Sequence, residues 1–316
     1  MRAPKIHRAL IVGASALIVI VAVMVGVGLL SSNNGGESQS LGKVKCGAPT
    51  ATIAKDPIVH HDEPDAVVHM HQIFGNSGWV NLAEPNAANY EDLNGQSTSC
   101  RIIGDTAGYW IPCLQHRNDD GTFGPTCIGT NQFTAYYRPF TGIGGPQYGP
   151  GLAFPPDTRL VGHLYNWTCG TNSGARSAPV QKIPDCSGLS GKPGYTLTAH
   201  IDLPNCYDGV PPNHLAEDVG DTSDNPHYAY SVKVNRVKTC PAGFPNQMVA
   251  VRETVQFAYV GDGTDVLLSS DVMASATVPG STLHADFWNA WDQPFFEQWV
   301  HDCVNFHIGD TARCDP

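Results

Sequence analysis

The chain has 316 residues, of which 41% are hydrophobic and 15% charged, enough apolar content for a sizeable core. Its formal net charge is −11, from 18 Lys and Arg against 29 Asp and Glu. A surface this acidic argues against nucleic acid or anionic lipid as a partner, because such binding rests on cations that neutralise phosphates.

The N-terminal tail, residues 1–8, carries Arg2, Lys5 and Arg8 and no acid. Residues 9–30, Ala9 to Leu30, then run without a charge. As a helix that run would be roughly 33 Å long, enough to span a hydrocarbon core of about 30 Å. Basic residues before the span predict a cytoplasmic N-terminus and a single-pass signal-anchor, with everything beyond it outside the membrane. A cleaved signal peptide is the alternative, but its apolar region is usually only about 7–15 residues long. Residues 31–50, rich in Ser, Asn, Gly and Gln at their start, read as a flexible linker. Residues 51–316 then form a single extracytoplasmic domain, with no internal repeat and no second linker.

All ten cysteines lie beyond the apolar run, which predicts disulfides in an exported domain. No C-x-x-C pair occurs, so neither a zinc ribbon nor a thioredoxin-type centre is indicated. Local pairings of Cys113 with Cys127, Cys169 with Cys186, and Cys206 with Cys240 would each staple a loop rich in turn-forming residues. Short alternating segments at 67–74, 195–203, 230–237, 248–260 and 266–270 predict strands. The expected fold is mainly β, a jelly-roll-like antiparallel β-sandwich with long disulfide-stapled loops, a C-terminal helix and one preceding transmembrane helix. That helix begins at Asp292 as N-cap, tolerates Pro294 in its first turn, and puts Phe295, Phe296, Trp299, Val300, Cys303 and Val304 on one stripe.

His69 and His71 are two apart in the run Val67 to Phe74, so on a strand both imidazoles share one face. His284 and Asp286 repeat that spacing. Paired imidazoles can share a metal ion or transfer protons. The candidate catalytic set is therefore His69, His71, His284 and Asp286, converging in one cleft, with His69, His71 and His284 also the candidate ligands of a divalent metal cofactor. Exposed Trp and Tyr rings make platforms for sugar faces, with nearby polar groups for hydroxyls. Tyr109, Trp110, Asp208, His227, Asn289 and Trp291 are the candidate substrate-binding residues on that basis. Asp105 and Asp202 are further polar candidates. The sequence lacks a G-x-S-x-G elbow, a P-loop and an H-E-x-x-H pair, which argues against α/β-hydrolase, P-loop nucleotide and zincin chemistry.

Several blocks together carry a family resemblance. They are Asp56-Pro57-Ile58-Val59, His69-Met70-His71 with Phe74-Gly75, and Gly108-Tyr109-Trp110-Ile111-Pro112. Further along come Asp202-Leu203-Pro204-Asn205-Cys206-Tyr207-Asp208-Gly209, His227-Tyr228-Ala229-Tyr230, Cys240-Pro241 and Leu283-His284-Ala285-Asp286-Phe287. In this order, from about residue 56 to 305, the chain resembles DUF1996, a secreted domain family of fungi and actinobacteria. The resemblance implies no established reaction. Three functions are expected from the residues: a surface enzyme that hydrolyses or eliminates cell-wall or surface polysaccharide, a non-catalytic glycan-binding domain, or a histidine-based metal-binding domain.

Overall fold

A computed structural model describes residues 42–316 apart from 62, 64, 141–148, 171–176, 190–195, 212–225, 236, 307–310 and 315–316. The expected tail, membrane span and the first part of the linker lie outside the described residues. Among the described residues, no helix is long and apolar enough to cross a membrane.

Two five-stranded antiparallel sheets make up the frame. The first runs Lys43–Cys46, Thr130–Arg138, Ala250–Phe257, Thr196–Asp202, Leu164–Gly170 in spatial order. The second runs Ala51–Ile53, His71–Gly75, Gly108–Pro112, Ala285–Trp288, Arg159–Gly162. Their facing sides share one apolar cluster, with Phe74, Tyr109, Ile111, Leu160 and Phe287 from the second sheet against Phe133, Tyr137, Leu197, Ala199 and Val255 from the first. Phe74 stacks on Phe133 with ring centroids 4.5 Å apart. Burying one such ring stabilises the fold by about 1.5–3 kcal/mol.

Strand alternation sends the intervening residues of the second sheet to its opposite side. There Ile73, Trp110, Val161 and Trp288 make a second cluster, covered by Ile58, Trp79, Ala88 and Leu93 from the segments between strands. The cross-strand partners Ile73↔Trp110, Asp286↔Trp110 and Asp286↔Val161 place Asp286 on this outer side. It is this covered outer face, and not the core between the sheets, that carries the histidines.

Of the predicted strands, 195–203 and 248–260 form long central strands at Thr196–Asp202 and Ala250–Phe257. The segment 230–237 instead makes a hairpin, Val232–Val234 paired with Val237–Thr239, because the chain turns at Asn235 with φ +50. Asn tolerates that left-handed backbone better than most residues. Residues 266–270 begin as a strand, Val266–Leu268, and pass into the short helix Ser269–Met273. The C-terminal helix Gln293–Trp299 is capped by Asp292, which accepts from the Phe295 amide at 2.9 Å, and it continues as a π-helical segment, Val300–Asn305.

Five disulfides staple the loops. The three local pairings expected from spacing form, at Cys113–Cys127, Cys169–Cys186 and Cys206–Cys240. Cys303–Cys314 closes the C-terminal segment, and Cys46–Cys100 spans 54 residues.

Candidate functional site

His71 opens a central strand, pairing with Ile53 and Pro112 on its two sides. His69 lies just before it, outside the strand, and His284 just before Ala285–Trp288. Ladder pairing of His71–Gly75 with Gly108–Pro112, and of that strand with Ala285–Trp288, brings residues more than 200 apart in sequence to the same end of the same face. The ring centroids of His69 and His71 are 4.2 Å apart, His69 and His284 5.0 Å, and His71 and His284 5.9 Å. One nitrogen from each ring lies within 4.8 Å of the other two.

Backbone carbonyls set the orientation of two rings. His71 Nδ1 faces the Lys55 carbonyl at 3.0 Å, and His284 Nδ1 faces the Thr282 carbonyl at 2.9 Å. A carbonyl only accepts, so each Nδ1 carries the proton of the neutral ring and each Nε2 presents a lone pair. His71 Nε2 is fully buried and has no hydrogen-bond partner. His69 Nε2 lies 3.2 Å from His284 Nε2. That separation is close to the ~3.3 Å edge of a tetrahedron whose metal–nitrogen bonds are about 2.0–2.1 Å.

Asp286 adds a carboxyl with 0% exposure, its Oδ2 3.7 Å from His284 Nε2. Neither of its oxygens has a hydrogen-bond donor. Burial, reinforced by Asp56 and Glu253, pushes this carboxyl well above the usual range. Burial likewise lowers all three imidazoles to about 3, reinforced by mutual repulsion among them. The rings are therefore neutral at pH 7, the form that ligates metal.

Asp56 completes the surroundings. Its Oδ1 accepts from the Ile58 and Val59 amides at 3.1 and 3.0 Å, and its own amide donates to Asn86 Oδ1. This pins the turn after Lys55, whose carbonyl holds His71. Burial raises the Asp56 carboxyl, while those amides and His284 oppose the rise. His163 stands at the rim, its ring 6.1 Å from that of His284. The sequence reading did not select Asp56 or His163 for the site. Asp56 opens one of the family-like blocks, which was the available signal, whereas His163 carries no local signature.

A family model described as a domain of unknown function (DUF1996) matches residues 56–291. The chain belongs to this family. No curated protein and no solved structure matches it. The matched part of this DUF1996 domain starts at Asp56 and contains all three histidines and Asp286.

The expected convergence of His69, His71, His284 and Asp286 on one place is present in this DUF1996 domain. The aromatic platform is not. Tyr109, Trp110 and Trp291 are each 0% exposed, so none can hold a sugar ring. Tyr109 and Trp291 share the inner core with Tyr137, whose hydroxyl meets Tyr109 Oη at 2.7 Å and Trp291 Nε1 at 3.3 Å. Trp110 packs edge-on against Trp79 in the outer cluster. Asn289 is also wholly buried and donates to the Phe154 and Pro155 carbonyls, a structural anchor and not a substrate contact. Asp208 and His227 pair with each other at 2.8 Å beside the small sheet of Cys206–Tyr207 and Tyr228–Ala229. Asp105 is buried against Tyr109, and Asp202 is bound by Arg252.

Proposed function

We propose that this domain holds a divalent transition-metal ion on His69, His71 and His284. The observation that carries the reading is a surplus of acceptors over donors: His71 Nε2 and both Asp286 oxygens meet no donor, and His284 Nε2 meets only the His69 ring. Two imidazole lone pairs fixed by backbone carbonyls converge with a third ring and a buried, donor-less carboxyl. Buried acceptors without a donor are costly, and a cation satisfies all of them together. Three nitrogen ligands, two of them with second-side hydrogen bonds to carbonyls, are the donor set that zinc and copper favour. Three histidines also leave a coordination position that Asp286 or solvent can fill.

A second reading keeps the same residues as a hydrolase or lyase site for cell-wall or surface polysaccharide. Its support is the 3.7 Å approach of His284 to Asp286, in which the partly exposed His284 would face substrate as acid or base with the buried Asp286 behind it. The glycan-binding reading loses its support with the burial of the aromatic rings. Placement outside a membrane, anchored through residues 9–30, belongs to both readings and is supported by the charge-free run and the five disulfides.

Elemental analysis of the purified protein tests the metal. Stoichiometric zinc or copper is expected, and its loss in a His69→Ala, His71→Ala double variant. Protein that stays metal-free after incubation with either ion would overturn the proposal. Release of reducing ends from wall polymers by the wild type, absent in His284→Ala, would add catalysis to binding.

A further inference from the structure

The first sheet carries a second feature, independent of the histidine site. Where Thr130–Arg138, Ala250–Phe257 and Thr196–Asp202 end side by side, the hairpin Val232–Val234/Val237–Thr239 borders a cleft of about 450 Å³. Arg138, Lys233, Lys238 and Arg252 line it, against Asp202 as the sole acid among the described residues that do so. This cleft thus gathers four of the chain's 18 basic side chains although the whole molecule stands at −11. Such a concentration costs repulsion. Burial lowers the Lys238 ammonium from its ordinary value, Asp202 opposes the fall, and Arg138, Lys233 and Arg252 add to it.

The carboxylate of Asp202 is taken up by Arg252. Its two oxygens take Arg252 Nε at 2.7 Å and Nη2 at 2.6 Å, a bidentate pair. Lys233 and Lys238 line the cleft as point charges, with Lys238 Nζ 5.2 Å over the Phe140 ring.

Asn205 supplies the second, independent observation. It is only 3% exposed and lines the same cleft. Its amide donates to the Ala229 carbonyl, its carbonyl accepts from Met248, and its Oδ1 accepts from the Ser231 amide at 3.1 Å. The last bond fixes which way the side chain faces, since a backbone N–H requires oxygen there. The side-chain NH2 group is then left buried with no acceptor. Among the described residues, this buried donor lines the same cleft as Lys233 and Lys238 without an anion to accept from it.

We infer that this cleft binds a small phosphate-bearing molecule, held by Lys233, Lys238 and the Asn205 side-chain amide. A carboxylate is the weaker fit, because the Arg252 fork that would grip one bidentately is committed to Asp202 and the Arg138 guanidinium lies over the Tyr136 ring. Ammonium point charges and an amide donor arranged around one opening suit a compact tetrahedral oxyanion. The volume fits a ligand the size of a monosaccharide phosphate.

Calorimetric titration of the full chain at fixed ionic strength tests this with inorganic phosphate, glucose 6-phosphate, glucuronate and glucose. Glucose 6-phosphate or phosphate should bind, and glucose should not. The Lys233→Gln, Lys238→Gln double variant should bind at least tenfold more weakly with its metal content unchanged. A gain of tenfold or more for the sugar ester over inorganic phosphate assigns the ligand to the ester; equal affinities assign it to the free ion, and both uphold the site. No binding of either phosphate species, equal binding in the double variant, or a preference for glucuronate would each overturn it.

Discussion

Two fully buried carboxyls, Glu253 and Asp286, sit on interior strands of opposite sheets, and neither meets a hydrogen-bond donor. Their surroundings differ. Glu253 stands across from Ala135 and Ile201, inside the apolar core between the sheets. Asp286 lies on the outer face of the second sheet, 3.7 Å from one of three clustered imidazoles. The carboxyl of Glu253 is raised by burial alone, whereas Asp286 is raised by burial and by neighbouring acids. Burial makes both groups costly, but only Asp286 has companions that a cation could satisfy with it. An orphaned acid therefore signals a site when other acceptors converge on the same point, and signals stored cost when none do.

Removing the proposed metal should separate the two regions most widely. At free metal about 1,000-fold above its dissociation constant, binding stabilises the fold by about 4 kcal/mol. A chelator should then lower Tm by roughly 10 °C, at about 2–4 °C per kcal/mol for a domain of this size. In His71→Ala combined with His284→Ala, calorimetric scans with and without chelator should superimpose. A chelator effect that survives in this variant would place the metal elsewhere.

The next effect comes from Glu253 and has a definite direction with pH. Its native carboxyl is raised above the unfolded value, so the folded state holds a proton that the unfolded chain releases. The contribution of this group is complete below about pH 4. It is then lost as pH rises towards the native pKa, by about 1.4 kcal/mol per unit. Glu253→Gln keeps the shape and removes the titration. Denaturant unfolding should show the variant and the wild type nearly equal at pH 4, with the variant increasingly the more stable as the pH is raised towards 7. Metal content should not change. A variant equally stable at both pH values relative to wild type would mean that Glu253 is ionised in the fold.

Much of this arrangement was legible in the residues, and the failures share a cause. The H-x-H pair and the His284/Asp286 pair announce side chains on a common face, because strand alternation is a local rule. That His69 and His284 meet across 215 residues depends on strand order, which the spacing does not encode. The three disulfides over separations of 14, 17 and 34 follow from turn-rich loops, while Cys46–Cys100 depends on how the edge strand is laid down. The aromatic blocks misled for a physical reason. Tyr109 and Trp110 are neighbours on one strand, so a sheet covered on both faces buries both rings. A sugar platform on Tyr109 and Trp110 needs an uncovered face, which this sheet does not have among the described residues. Glu253 left no signal, since a lone acid in an alternating strand reads as solvent-facing.

The smallest effect is expected where the inner core satisfies its own polar groups. Tyr137 Oη is joined to Tyr109 Oη at 2.7 Å and to Trp291 Nε1 at 3.3 Å, and Tyr109 Oη also meets Asp105 Oδ2 at 2.9 Å. Burial pushes the Asp105 carboxyl up to about 8, so at neutral pH this chain of groups is largely uncharged. Tyr137→Phe preserves the ring contacts with Trp291, Phe296 and Trp299 and deletes one hydroxyl. It leaves the Trp291 indole N–H without an acceptor, and one unsatisfied buried donor costs about 1–3 kcal/mol. The 3.3 Å bond is long, so a loss near 1 kcal/mol is expected, measured as a shift of the denaturant midpoint at unchanged slope. Asp105→Asn, which retains acceptor and donor capacity towards Ala107 and Tyr109, should act non-additively with Tyr137→Phe if the three groups behave as one network. Strict additivity would show that the hydroxyls are satisfied pair by pair. Neither substitution should alter metal stoichiometry, because this network lies on the face of the second sheet opposite to His71 and Asp286.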